Sequence, residues 1–346
     1  MNDTYNGLMD VPERNRLDAD RLGAFLRAEL DVDPKALVVQ QFKGGQSNPT
    51  YLLSAGDRRY VLRKKPPGPL LPSAHAVERE FRVMRALAGT DVPVAEVFAL
   101  CEDTEIIGTP FFIMAYVEGR IFWDPALPDA RPEERRAIYA EMIRVLADLH
   151  KLDPVALGLA DFGKPGNYFA RQIDRWTRQY RASETEMIAD MDALIDWLPG
   201  HIPDEPGYTL VHADFRLDNL IFHPAEPRVL AVLDWELSTV GHPLADLATH
   251  CGAWHLPSTY WGLADQPLQQ LGIPAEQDYI AQYCRSASRP TIAHWNFYMA
   301  FAMFRKTAIN QGVVKRKLMG NVSSQAALGI DRVRFLAGIG AKLVER

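Results

Sequence analysis

Cysteine is scarce in this sequence: three in 346 residues, at Cys101, Cys251 and Cys284, with no C-x-x-C pair. An odd count at such spacing excludes a disulfide framework and a zinc site, and leaves reduced, packed thiols as the expectation. Long apolar runs are missing too. The densest, Phe111 to Val117, is far too short to span a bilayer. The polar opening MNDTYNGLMDVPERNR lacks the apolar stretch of a signal peptide, so a cytoplasmic protein with no membrane partner is expected. There is no tandem repeat or low-complexity tract. Positive charge is not in excess, since the net charge of −6 gives no reason to expect nucleic acid as a partner. Neither a Walker A motif nor G-x-G-x-x-G is present.

What is present divides by pattern. Leu37 to Phe42, Thr50 to Leu53 and Tyr60 to Lys64 read as strands, parted by the turn-rich Gly44-Gly45-Gln46-Ser47-Asn48-Pro49 and by Ala55-Gly56-Asp57. Pro66, Pro67, Pro69 and Pro72 end the third strand. Val77, Phe81, Met84 and Ala88 then recur at helical spacing over Ala76 to Ala88, with Glu80 at the edge of that stripe and in need of a partner. Strands near Val94 to Leu100 and Phe111 to Val117 follow. Helices dominate beyond, over Arg135 to Lys151 and around Phe169, Ile173, Trp176 and Tyr180. The expectation is an α+β chain of two lobes: a small sheet-rich one over residues 1–116 and a larger helical one over 117–346, with a hinge near Ala115 to Gly119.

One β-rich island, Tyr208 to Asp234, interrupts the helical half. Leu210-Val211 leads into His212-Ala213-Asp214, and Asn219 comes five residues after Asp214. Leu220 to Phe222 and Val229 to Leu233 read as a hairpin that ends on Asp234. Such a hairpin would bring Asn219 near Asp234. Mg²⁺ takes hard oxygens, commonly one or two carboxylates with substrate phosphates, and Asn219 and Asp234 can supply them. Asp214 would then orient an attacking hydroxyl and accept its proton.

The ordered set His212-Ala213-Asp214-x-x-x-x-Asn219 followed by Asp234 resembles the catalytic loop and metal aspartate of the protein-kinase-like superfamily. Its form is that of the aminoglycoside phosphotransferase family, whose usual loop is H-G-D-x-x-x-x-N. Ala213 replaces that glycine, and Asp234-Trp235-Glu236 stands where a protein kinase has D-F-G. FKGGQSNPTYLL, YVLRKKPPG, HAVEREFRVMRAL, VHADFRLDN and VLDWELSTVGHPLADLA are especially similar to the kinase-like domain fused to some acyl-CoA dehydrogenases and to its free-standing bacterial relatives. The resemblance covers nearly the whole chain. It implies a bilobal protein-kinase-like fold, ATP and Mg²⁺ as cofactors, and a small-molecule hydroxyl as acceptor. A hydroxylated acyl-CoA is favoured over an aminoglycoside, whose polycationic character calls for a strongly acidic pocket; a nucleotide-binding module without catalysis is the other alternative, against which the intact Asp214, Asn219 and Asp234 speak.

The resemblance also distributes roles. Ser47 and Asn48 belong to a loop that would cover the phosphates. Arg63 and Lys64 alternate along one strand, so one of them would meet phosphate and the other would be a solvated edge residue. Arg63 is preferred because it could also pair with Glu80. The backbone groups of Ala115 and Val117 would meet adenine. His212 would brace the loop and Asp246 would hold it from below. Arg216 would touch substrate or form a structural ion pair, and Glu236 would sit near metal or acceptor. Trp254, His255, Tyr260, Trp261, Trp295, Tyr298 and Arg305 fall in the region that binds acceptor in relatives, although an aromatic set there reads first as core. Arg305, Lys306, Lys315, Arg316 and Lys317 form a basic stretch that reads as a solvated helix face or as a contact for an anionic tail.

Overall fold

Apolar alternation in the first third of the chain and 3.6-residue periodicity in the rest become, respectively, a sheet and a set of helices. The computed structural model describes residues 7–43, 48–66, 75–204, 207–319 and 329–345. In chain order the strands are β1 (Leu8–Met9), β2 (Leu37–Phe42), β3 (Thr50–Ala55), β4 (Arg58–Lys64), β5 (Val97–Cys101), β6 (Phe111–Ala115), β7 (Thr209–Val211), β8 (Leu220–Phe222), β9 (Val229–Val232) and β10 (Thr239–Gly241). The helices are α1 (Ala19–Leu30), α2 (Val77–Leu87), α3 (Thr104–Ile107), α4 (Pro132–Lys151), α5 (Tyr168–Ser183), α6 (Ala189–Trp197), α7 (Pro243–Cys251), α8 (Leu268–Leu271), α9 (Glu276–Ser286), α10 (Trp295–Leu318) and α11 (Ile330–Val344). The chain divides into two units. The first is Met1–Ile121 with Leu220–Glu236; the second is Phe122–Asn219 with Leu237–Arg346.

The first unit is built on an antiparallel sheet of order β1-β2-β3-β4-β6-β5. Side chains alternate across it, and the register Leu62↔Ile113, Arg63↔Phe112, Lys64↔Phe111 fixes which residues share a face. Tyr51, Leu53, Leu62, Phe111 and Ile113 bury against Leu22 and Leu26 of α1. On the opposite face Phe81 of α2 meets Phe112 edge-on. Asp18 caps α1 by accepting from the Arg21 amide. The sequence reading assigns nothing to residues 19–30, because only Leu22, Gly23 and Leu26 of that helix are buried and so narrow a stripe gives a weak period.

The hairpin β8–β9 belongs to this unit although it lies 100 residues further along the chain. Phe222 bridges Arg120, the Arg120 guanidinium donates to the carbonyls of His223 (3.0 Å) and Glu226 (3.1 Å), and the Val232 amide donates to Pro93 O. Gly119 is required for this approach, since a Cβ there would lie 2.3 Å from Phe222 O. The first unit is thus discontinuous in sequence, which a single boundary at 116/117 does not express.

In the second unit α10 is the buried axis, with Phe297, Tyr298, Phe301 and Phe304 almost wholly enclosed. Phe169 of α5 touches Phe297, Tyr298 and Phe301. A two-stranded antiparallel ladder pairs β7 with β10, Val211 opposite Thr239. All three cysteines are free and buried, as expected. Among the described residues no helix is long and apolar enough to cross a membrane.

Candidate active site

The loop after β7 is held by buried polar groups on three sides. Asp246, on α7 and 1% exposed, accepts from the His212 amide at 2.6 Å and the Ala213 amide at 2.9 Å. His150 of α4 places Nε2 3.3 Å from the same carboxylate, and its Nδ1 lies 2.7 Å from Tyr283 Oη. Burial alone would push the Asp246 carboxyl up. Its bond to His150, the charges of His150 and His212, and the His212 amide outweigh that and hold it below the ordinary aspartate range. His250 forms a second strut, with Nδ1 3.2 Å from Phe215 O and Nε2 2.8 Å from Tyr279 Oη. Burial drops its pKa to about 4, so the ring is neutral and Nδ1 donates to Phe215 O.

His212 is fully buried. Its Nδ1 accepts from the Asp214 amide at 3.2 Å. The Asp214 side chain is 30% exposed. Asn219 Nδ2 donates to Asp214 O (2.9 Å) and to Asp214 Oδ2 (3.3 Å). Arg216 is committed to ion pairs, Nε to Asp214 Oδ1 at 3.3 Å and Nη2 to Asp218 Oδ2 at 2.9 Å. Asn219 is the last residue before β8, where Leu220 pairs with Val232; the expected hairpin is present.

In the first unit the polar centre is an Arg63 fork. Nε donates to Glu80 Oε2 at 2.8 Å and Nη2 to Asp234 Oδ1 at 2.5 Å, with Glu236 Oε2 at 3.9 Å. The side chains are 9% (Arg63), 3% (Glu80) and 33% (Asp234) exposed, so the Arg63–Glu80 pair is buried and Asp234 is its wet end. Burial opposes the Arg63 charge, but Glu80, Asp234 and Glu236 more than offset it and the guanidinium pKa rises. Asn48, also buried, donates to Glu236 Oε2 at 3.2 Å and lies 3.1 Å from His75 Nδ1 through its amide oxygen. Ser47 lies outside the described residues.

Two expectations need correction, the solvated settings of Lys64 and of Arg305. Lys64 is not a solvated edge residue. It is 4% exposed, on the α1 side of the sheet with Tyr51 (Nζ 6.0 Å from the ring centroid), and burial lowers its pKa. The reason is that β4 is an interior strand covered on both faces. Ala115 spends its amide on Glu96 O at 2.8 Å, so the expected contact with adenine would fall to its carbonyl; the backbone of Val117 is unpaired among the described residues. The aromatic set is largely core: Tyr298 is fully buried and Trp254 is 9% exposed, with its Nε1 donating to Pro274 O, whereas Trp261 is exposed. Of the basic stretch, Arg316 and Lys317 are solvated, but Arg305 turns inward and donates to Ala213 O at 2.8 Å. His150, His250 and Arg305 are supports that the sequence reading did not find, and no local spacing signals them.

A sequence model of the phosphotransferase enzyme family matches residues 38–284. Acyl-CoA dehydrogenase family member 10 of Mus musculus is 56% identical over 290 residues, covering 83% of this chain and 27% of that protein. The chain spans less than half the length of the curated relatives it matches. A crystal structure from Ralstonia eutropha JMP134, named as a candidate aminoglycoside phosphotransferase, superposes with a TM-score of 0.87 at 51% identity, covering 95% of this chain and 99% of that one. A thermostable mutant of aminoglycoside phosphotransferase APH(4)-Ia, in a ternary complex with AMP-PNP and hygromycin B, gives a TM-score of 0.62 at 17% identity, covering 94% and 97%; that likeness shows the fold alone. The matched 38–284 span holds the Arg63 fork, the Asp214 loop and Asp246, and the chain belongs to the phosphotransferase enzyme family.

Proposed function

We propose that the protein transfers the γ-phosphoryl group of Mg-ATP to a hydroxyl of a small molecule, with hydroxylated acyl-CoA metabolites as the acceptor class. The setting of Asp214 carries this reading: a partly exposed carboxylate, contacted by Asn219 and Arg216, on a loop whose backbone is fixed from beneath by Asp246. In this reading Asp214 orients the acceptor hydroxyl and takes its proton. A strong base is not needed, because positioning and charge neutralisation dominate phosphoryl transfer. Arg63, oriented by Glu80, contributes a forked cation suited to phosphate oxygens, and Asn48 belongs to the segment that covers the nucleotide.

In this reading Asn219 and Asp234 would each offer Mg²⁺ a hard oxygen, and the chemistry of each, taken singly, suits the ion. Asn219 spends its Nδ2 on Asp214, which leaves the amide oxygen. Asp234 commits Oδ1 to Arg63, which leaves Oδ2 unbonded among the described residues. A bound ion would neutralise charge developing on the transferred group.

The acceptor class rests on charge. Lys306, half-buried in α10, has its amine brought down to about 8 by burial, with Arg216 and Arg332 pushing the same way. Asp214 and Asp218 oppose that shift and already pair with Arg216, so Lys306 and Arg332 are the cations that could meet an anionic acceptor. The relatedness to acyl-CoA dehydrogenase family members points in the same direction. A metabolite-library phosphorylation screen with Mg-ATP, including short hydroxyacyl-CoAs and aminoglycosides, tests both levels. The expected result is transfer to hydroxyacyl-CoAs that is lost in Asp214→Asn. Efficient transfer to kanamycin-like compounds would overturn the acceptor class; ATP binding with no turnover of any acceptor or of water would overturn the enzyme.

A further inference from the structure

Ala213 sits at φ +65°, in the left-handed region that glycine enters freely and that an L side chain disfavours by about ten-fold or more. The two peptide planes that meet at Ala213 are each pinned by an ionised side chain. On the first, the Ala213 amide donates to Asp246 Oδ1 at 2.9 Å. On the second, the Ala213 carbonyl accepts from Arg305 Nη1 at 2.8 Å, while the amide of that same plane, Asp214 N, donates to His212 Nδ1 at 3.2 Å. The peptide unit is planar and includes the next Cα, so fixing the oxygen of residue 213 fixes the attachment point of the Asp214 carboxylate. Arg305 arrives from α10, 92 residues away in sequence, with its guanidinium 5.5 Å from the Trp176 ring centroid of α5. That stacking limits where the fork can point, and a charged donor makes the stronger kind of hydrogen bond.

We propose that Arg305 is a positioning residue for Asp214, required because alanine stands at position 213: the guanidinium holds the 213–214 peptide in an orientation that glycine would adopt without help. The inference rests on the phosphotransferase reading given above. It accounts for Arg305 without assigning it to substrate, and it predicts a dependence between two positions that no single substitution reveals.

The test is a double-mutant cycle of Arg305→Met and Ala213→Gly, read in two ways. In steady-state turnover of Mg-ATP, with water as acceptor, Arg305→Met lowers kcat by about 10- to 100-fold, the range for a displaced catalytic group, and leaves KM for ATP within about two-fold. In the Ala213→Gly background the same substitution costs no more than about three-fold. In amide hydrogen exchange over residues 210–219, Arg305→Met speeds the Ala213 and Asp214 amides by about ten-fold in the alanine background and far less in the glycine background. Equal losses in the two backgrounds would refute the proposal, as would a rise in KM with kcat unchanged, which would mark Arg305 as a substrate contact. Should Arg305→Met fail to fold by thermal unfolding, Arg305→Lys, which keeps the charge but not the fork, is read by the same exchange measurement. Absence of Asp214-dependent turnover in the wild type would sink the phosphotransferase reading, while the exchange cycle would still decide the role of Arg305.

Discussion

Removing the guanidinium of Arg63 leaves a buried carboxylate without its cation, with only a backbone hydrogen bond from Trp235 beside it. Glu80 is fully enclosed on α2, and the Arg63 Nε bond at 2.8 Å is its only side-chain partner among the described residues. Arg63→Met keeps most of the volume and leaves the charge. Breaking a buried ion pair from one side costs about 3–5 kcal/mol. At the lower figure, and at 2–4 °C per kcal/mol, the midpoint of thermal unfolding should fall by roughly 6–12 °C. Asp234, partly exposed, can hydrate and adds little. The deficit should depend on pH with a definite sign. Burial already pushes the Glu80 carboxyl above its ordinary value in the wild type, with Arg63 opposing that push; without Arg63 it rises further. The folded variant therefore holds a proton that the unfolded chain releases, and its stability falls as pH rises from the ordinary glutamate range through the raised folded value. Below the ordinary glutamate pKa both states are protonated and the deficit is small. Glu80→Gln in the Arg63→Met background should restore at least half the loss above that window. Melts of the wild type, both single variants and the double variant between pH 4.5 and 8.5 decide the matter. A deficit under about 1 kcal/mol, a flat pH dependence, or no gain from the second substitution would refute the reasoning.

Other outcomes follow from the same structure. Asp246→Asn can accept at only one oxygen where two now accept, so it should lose about 1–3 kcal/mol together with most turnover, measured by denaturant unfolding and by Mg-ATP hydrolysis. Because its folded pKa is depressed, the wild-type contribution of Asp246 should be present above the ordinary aspartate range and disappear as pH falls through the folded value; acid titration of stability reads this. Gly119→Ala should destabilise by about 1–3 kcal/mol, since its Cβ would meet backbone at Phe222 O. Lys64→Met should raise the melting temperature at neutral pH, where a buried ammonium is costly. That gain should shrink as pH rises through the lowered lysine pKa toward the ordinary lysine value.

Sequence patterns foretold the fold well where burial is repetitive. β2 and β8 have the expected limits, α2 differs by one residue at each end, and α4 begins three residues early at Pro132. Alternation along β4 also separated Arg63 from Lys64 correctly. It could not say that the second face was covered, because α1, which covers it, shows too few buried positions to declare itself. The candidate site was legible as a list, from His212 to Asp234, because its members are close in sequence. Its supports were not. His250 and Arg305 reach the loop across 35 and 92 residues, His150 acts on it through Asp246 and Tyr283 through His150, and hydrogen bonds over such separations leave no period and no motif.

The two backbone strains nearest the chemistry have a common logic. Among the described residues Ala213 (φ +65°) and Asp234 (φ +63°) both take the left-handed conformation without being glycine, one in each unit. Aspartate tolerates that region better than alanine, since its short polar side chain can bond locally, yet here the Asp234 carboxylate is turned to Arg63 instead. Each strained residue is therefore held by an arginine, Arg63 on a side-chain oxygen and Arg305 on a main-chain oxygen. Strain persists only where surrounding bonds over-determine it, and what these bonds determine is the direction of two carboxylates, Asp214 and Asp234. Glycine at 213 would remove the strain and the need for its arginine together. That substitution separates a loop shaped by its own backbone preference from one shaped by a charge brought from α10.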